Sequence, residues 1–100
     1  MKVRIQAVNF NIDKGLVQLI EEKTQSLLKF YDHIIDAEVF LKVQKTSLKE
    51  NKDLEIRLSI PGNDPVVKKT SSTFEDALSQ AHASLKKTLI KLKEKQREKH

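Results

Sequence analysis

The chain has 100 residues, 38% hydrophobic and 33% charged, with no cysteine and a net charge of +5. This length is one domain with a core of its own, and the missing cysteine removes disulfides, thiolate metal sites and thiol nucleophiles. No apolar run approaches a membrane span, and the opening MKVRIQAV lacks the apolar centre of a signal peptide, so a cytoplasmic protein is expected.

In chain order, residues 2–8 alternate Val3, Ile5 and Ala7 with Lys2, Arg4 and Gln6, the pattern of a half-buried strand. NFNID breaks it and offers Asn11 or Asp13 as a helix cap. Leu16, Val17, Ile20, Thr24, Leu27, Leu28 and Tyr31 then recur at helical spacing, which predicts a helix over about 13–31. Residues 35–45 alternate again, with Val39, Leu41 and Val43 on one side and Glu38, Phe40, Lys42 and Gln44 on the other. After the polar KTSLKENK, Leu54, Ile56, Leu58 and Ile60 mark a third strand that PGNDP ends. Residues 66–71 predict a fourth, weaker strand. SSTFED opens a last helix, with Ser72 and Glu75 spaced as a capping box and Thr73 and Asp76 as a looser one. Its apolar stripe is Phe74, Leu78, Ala81, Leu85, Leu89 and Leu92.

The order β-α-β-β-β-α predicts an α+β domain: a four-stranded mixed sheet with two helices packed on one face. A right-handed crossover makes the first two strands parallel, and short turns make the rest antiparallel. The uncovered face carries Lys2, Arg4, Glu38, Lys42, Glu55 and Arg57, whose mixed signs suit cross-strand pairs.

The surplus charge has one address. Residues 1–85 hold 12 Lys/Arg and 12 Asp/Glu, while residues 86–100 hold seven Lys/Arg against Glu94 and Glu98. Helical spacing puts Lys87, Lys91 and Lys95 in one row and Lys86, Lys93 and Arg97 on the opposite flank. Like charges at i, i+4 repel by a few tenths of a kcal/mol each, roughly. Phosphates along a nucleic-acid backbone would relieve that repulsion, whereas cations at a helix C-terminus also simply suit its dipole. A membrane-surface helix would need the apolar stripe that the core requires.

Catalytic signals are weak. His33, His82 and His100 form no metal-ligand spacing, and with two glycines there is no phosphate-cradling loop. His82 flanks the apolar stripe, and Asp32-His33 reads as a helix-end interaction. Neither an enzyme, a metal, a cofactor nor a small-molecule substrate is expected. Four Phe, one Tyr and no Trp, with Phe40 alone pointing outward from a strand, fit backbone recognition of structured RNA better than stacking on single-stranded bases.

MKVRIQAVNFNIDKGLVQLIEEKTQSLLKFYD followed by AEVFLKV resembles the start of the ribosome hibernation-promoting factor family, also called ribosome-associated inhibitor or sigma-54 modulation protein. The family's helix signature is carried here by Leu16, Ile20, Lys23, Leu27, Lys29 and Phe30, and TFEDALSQAHASLKKTLIKLKEK is similar to its second helix. Thr88 stands where that helix usually has Gln, and Ala83-Ser84 where it often has Asp-Lys. The resemblance implies a non-enzymatic, short-form factor of one domain, 1–100, monomeric off the ribosome. It would bind the small ribosomal subunit in the mRNA and tRNA channel and block translation sterically under stress or in stationary phase. By position it implies ribosomal RNA contacts from Lys23, Lys86, Lys87, Lys91 and Lys95. The other readings are a general structured-RNA module and a protein-interaction domain using Phe40 and a sheet edge. The order of QREKH before binding stays open.

Overall fold

The computed structural model describes the backbone of residues 1–98 and the side chains of residues 1–95. The order of QREKH and the flank position of Arg97 lie outside the described side chains. Strand β1 (Lys2–Val8) leads into helix α1 (Lys14–Gln25), which ends in a 3₁₀ turn (Ser26–Lys29). Strands β2 (Asp36–Val43), β3 (Lys52–Ser59) and β4 (Val66–Ser71) follow, and helix α2 (Phe74–Glu98) closes the chain. The sheet order is β1-β2-β3-β4. β1 runs parallel to β2, with Ile5 opposite Val39, and β3 is antiparallel to both its neighbours. This is the β-α-β-β-β-α mixed sheet that the alternating patterns predict.

The period-2 patterns each bury one face. Ala37, Val39, Leu41, Leu54, Ile56 and Leu58 are at most 1% exposed and form one core with Ile20 and Leu27 of the first helical segment and Leu78, Leu85 and Leu89 of α2. Both helices lie on that face, α2 over β3 and β4, and α1 beside β1 and α2. Among the described side chains of α2 the last buried one is Leu89; Leu92 is half-buried, and Lys93, Glu94 and Lys95 are exposed.

Two element ends, the close of the first helix and the close of β3, differ from the sequence expectation, and at the two helix starts the structure chooses among the caps the sequence offers. The first helix does not run through 31 as one α-helix. The Ser26 hydroxyl donates to the Lys23 carbonyl at 2.6 Å where the α-helix stops, and beyond it the Phe30 N–H bonds to the Leu27 carbonyl three residues back at 3.0 Å, the 3₁₀ spacing. At its start Asp13, not Asn11, is the cap, accepting from Leu16 N–H at 2.7 Å. At α2 the cap is Thr73 rather than Ser72: Thr73 Oγ1 accepts from Asp76 N–H at 3.1 Å. The Asp76 carboxylate accepts from Ser71 and Gln80 instead of closing the box, and these bonds hold its pKa below the usual carboxylate value. Ile60 falls just past β3, paired to Asn63 across the Pro61-Gly62 turn. Gly62 takes φ +79° there, a conformation that L side chains rarely adopt.

Candidate nucleic-acid interface

The open sheet face is charge-matched. Arg4 on β1 donates to Asp36 and Glu38 on β2 at 3.3 and 3.0 Å. Arg57 donates to Glu55 at 2.8 Å and lies 5.5 Å from the centroid of Phe40. The one outward strand aromatic is thus capped by a guanidinium and is only partly exposed. Asp53, 9% exposed, is a polar hub that no sequence pattern marked. Both its oxygens accept from Gln44 at 2.8 Å, and one also from Thr70 at 2.6 Å. Burial pushes its pKa up, but these bonds and the charges of Lys68 and Lys42 outweigh that and leave it lowered.

The helical layer is different. Lys23, Lys86, Lys87, Lys91 and Lys95 are all exposed. None of them makes an ion pair with another described residue. The structure divides them between two places. Lys23 on α1, whose carbonyl takes the Ser26 hydroxyl, and Lys86 on α2, one turn after His82, flank the seam where Ser26 meets His82. Lys86 is held by Phe30, its ammonium 5.0 Å from the ring centroid. Lys87, Lys91 and Lys95 follow one another at i, i+4 and i+8 along the other side of α2. Lys95 reaches the recess formed with Tyr31, Leu92 and the Pro61–Asn63 turn. Exposed Lys93 belongs by spacing with Lys86.

Sequence reasoning did not find what fills the seam. His82 Nε2 lies 2.8 Å from Ser26 Oγ, and its ring meets Phe30 edge-on at 6.4 Å. Burial first, then Lys23 and Lys86, lowers its pKa below 6.5. The position of His82 one turn before Lys86 was visible in the sequence. That this flank is the one facing α1 was not, since it depends on how the two helices pack.

Among the described residues no group of His, Asp and Glu could hold a metal ion, and no helix is long and apolar enough to cross a membrane. Asp32 and His33 lie 3.5 Å apart and well exposed just beyond the 3₁₀ turn, as a helix-end contact would.

Two solved structures share this fold. A ribosomal subunit interface protein from Coxiella burnetii superposes with a TM-score of 0.82 at 18% identity, covering 93% of this chain and 98% of that one. The N-terminal domain of Protein Y from Thermus thermophilus gives 0.79 at 19% identity, covering 92% and 99%. No curated protein matches the sequence. The family model of the sigma 54 modulation protein / S30EA ribosomal protein matches residues 3–97, so the chain, with its charge-matched sheet and unpaired helical lysines, belongs to that family.

Proposed function

We propose that this protein is a cytoplasmic ribosome hibernation factor. It binds the small ribosomal subunit in the mRNA and tRNA channel and inhibits translation under stress or in stationary phase. Lys23, Lys86, Lys87, Lys91 and Lys95 contact phosphates of the ribosomal RNA, and the folded domain, a monomer when free, excludes tRNA or mRNA by occupying their space. No catalytic step is needed. The observation that carries this reading is the set of exposed helical lysines without counter-charges, in a chain of the S30EA ribosomal protein family. Every phosphate such a lysine neutralises releases a counterion and supplies affinity. A fold-mate bearing the name ribosomal subunit interface protein supports the same partner.

The test is co-sedimentation of the protein with separated ribosomal subunits across a salt series, beside the Lys86→Ala, Lys87→Ala, Lys91→Ala triple variant. Binding is expected to be confined to the small subunit and to weaken with salt at a log–log slope of about 0.7–0.9 per phosphate contact. The triple variant should lose roughly three contacts' worth of that slope. Salt-indifferent binding, or equal binding to a free RNA duplex, would overturn the assignment.

A further inference from the structure

The seam between α1 and α2 is built around a group that the lysine contacts do not require. Ser26 Oγ spends its only proton on the Lys23 carbonyl, 2.6 Å away. It can therefore only accept from His82, whose Nε2 lies 2.8 Å from it. That fixes the neutral ring as the Nε2–H tautomer and leaves Nδ1 to take a second proton. His82 is half-buried rather than enclosed.

The groups in contact with the ring, Ser26 and Phe30, are neutral, and the charges that act most on it are cationic. From α1 comes Lys23, from the 3₁₀ turn and its end come Ser26 and Phe30, and from the next turn of α2 comes Lys86. The carboxylate one turn before Ser26, Glu22, accepts from Gln18 and lines a recess beside Ser26 with Glu21 and Lys29; the charges that act most on His82 are Lys23 and Lys86. A proton on His82 is thus opposed in the free protein by two neighbouring cations and by burial. A phosphate seated between Lys23 and Lys86 would reverse the electrostatic part of that opposition.

Resting on the ribosomal RNA reading above, we propose that the seam is a phosphate-binding site in which His82 takes up a proton as the phosphate arrives and adds a third positive charge to those of Lys23 and Lys86. Binding is then linked to proton uptake, so affinity rises as pH falls. Linkage sets the size: affinity changes by up to about tenfold for each unit by which bound phosphate raises the His82 midpoint. The stability of the free protein runs the other way. Because its folded pKa is depressed, His82 contributes stability above 6.5 that is lost as pH falls through the folded value. A merely structural histidine would move stability with pH and leave affinity alone.

The experiment measures small-subunit affinity at pH 6 and pH 8 at constant salt, for the wild type, His82→Gln and His33→Gln. Glutamine can still donate to Ser26 but cannot titrate. The wild type and His33→Gln should bind several-fold tighter at pH 6, and His82→Gln should lose that difference. In parallel, NMR titration of His82 in the free protein with and without inorganic phosphate should show the midpoint rising with phosphate. The Lys23→Ala, Lys86→Ala variant should show no such rise. Subunit binding that is flat in pH, with an unmoved midpoint, overturns the site and leaves the ribosomal reading standing. Failure of the wild type to bind subunits at either pH overturns the ribosomal reading, and the phosphate titration then decides the seam alone.

Discussion

The two surfaces of this domain handle charge in opposite ways. On the open sheet face Arg4 bridges Asp36 and Glu38, Arg57 pairs with Glu55, and Asp53 collects bonds from Gln44 and Thr70. On the helical layer five lysines stand without a described counter-charge. Both surfaces are polar and wet, so exposure alone does not separate them. The difference is that the sheet face interleaves both signs and closes the pairs of Arg4 and Arg57, although Lys2, Lys42 and Lys68 make no ion pair among the described residues, whereas none of the five helical lysines is closed. A surface whose pairs are closed gains little from a polyanion, because each contact first breaks an internal one. A surface of open cations gains at every contact.

The sharpest test of this contrast lies within α2, whose two sides should respond oppositely to truncation. Leu89 is fully buried, so Leu89→Ala should cost roughly 2–5 kcal/mol of stability in a urea melt. Lys87→Ala and Lys91→Ala should each stay within about 0.5 kcal/mol of the wild type, because surface changes rarely exceed that. A lysine variant that melts as early as Leu89→Ala would mean that the lysine stems pack into the core.

The next effect belongs to the sheet. Asp53→Asn removes a carboxylate that accepts three bonds, two from Gln44 and one from Thr70, and should cost about 1–3 kcal/mol at neutral pH. Its pKa is depressed, so this contribution is present above the ordinary value of 3.8 and disappears as pH falls through the lower folded value. Urea melts of the wild type and the variant should therefore converge in acid. A gap that persists unchanged at low pH would show that the asparagine disturbs packing rather than charge.

The contrast between the surfaces was partly legible in the sequence. Period-2 alternation placed Arg4, Glu38, Glu55 and Arg57 on one sheet face, and the strand order then put opposite signs side by side. The surplus of lysine after residue 85 was visible as composition, and helical spacing split it into two rows. What stayed hidden depends on distant segments meeting. Asp53 sits in a regular strand pattern, and only the register to Thr70 and the return of Gln44 make it a hub. Ser26 and His82 are 56 residues apart, and their contact follows from how two helices pack, which periodicity does not encode. The end of α1 was missed for a local reason: the Ser26 hydroxyl competes for a backbone carbonyl there, and such competition among neighbouring Ser and Thr residues is worth little energy.

The smallest effect is also the one that could dissolve the comparison. Arg4 is about half exposed, at 51%, and its two ion pairs lie in water. Such pairs are worth about 0–1 kcal/mol, less as salt screens them. Arg4→Ala should therefore barely move the urea midpoint. If the sheet face takes no part in binding, the variant should also leave the salt slope of small-subunit binding where it was, since that slope counts phosphate contacts. A slope reduced by about 0.9 would mean that Arg4 leaves its carboxylates for a phosphate in the complex. Pairing in the free protein would then be a resting state, and the open face would have to be counted as part of the interface.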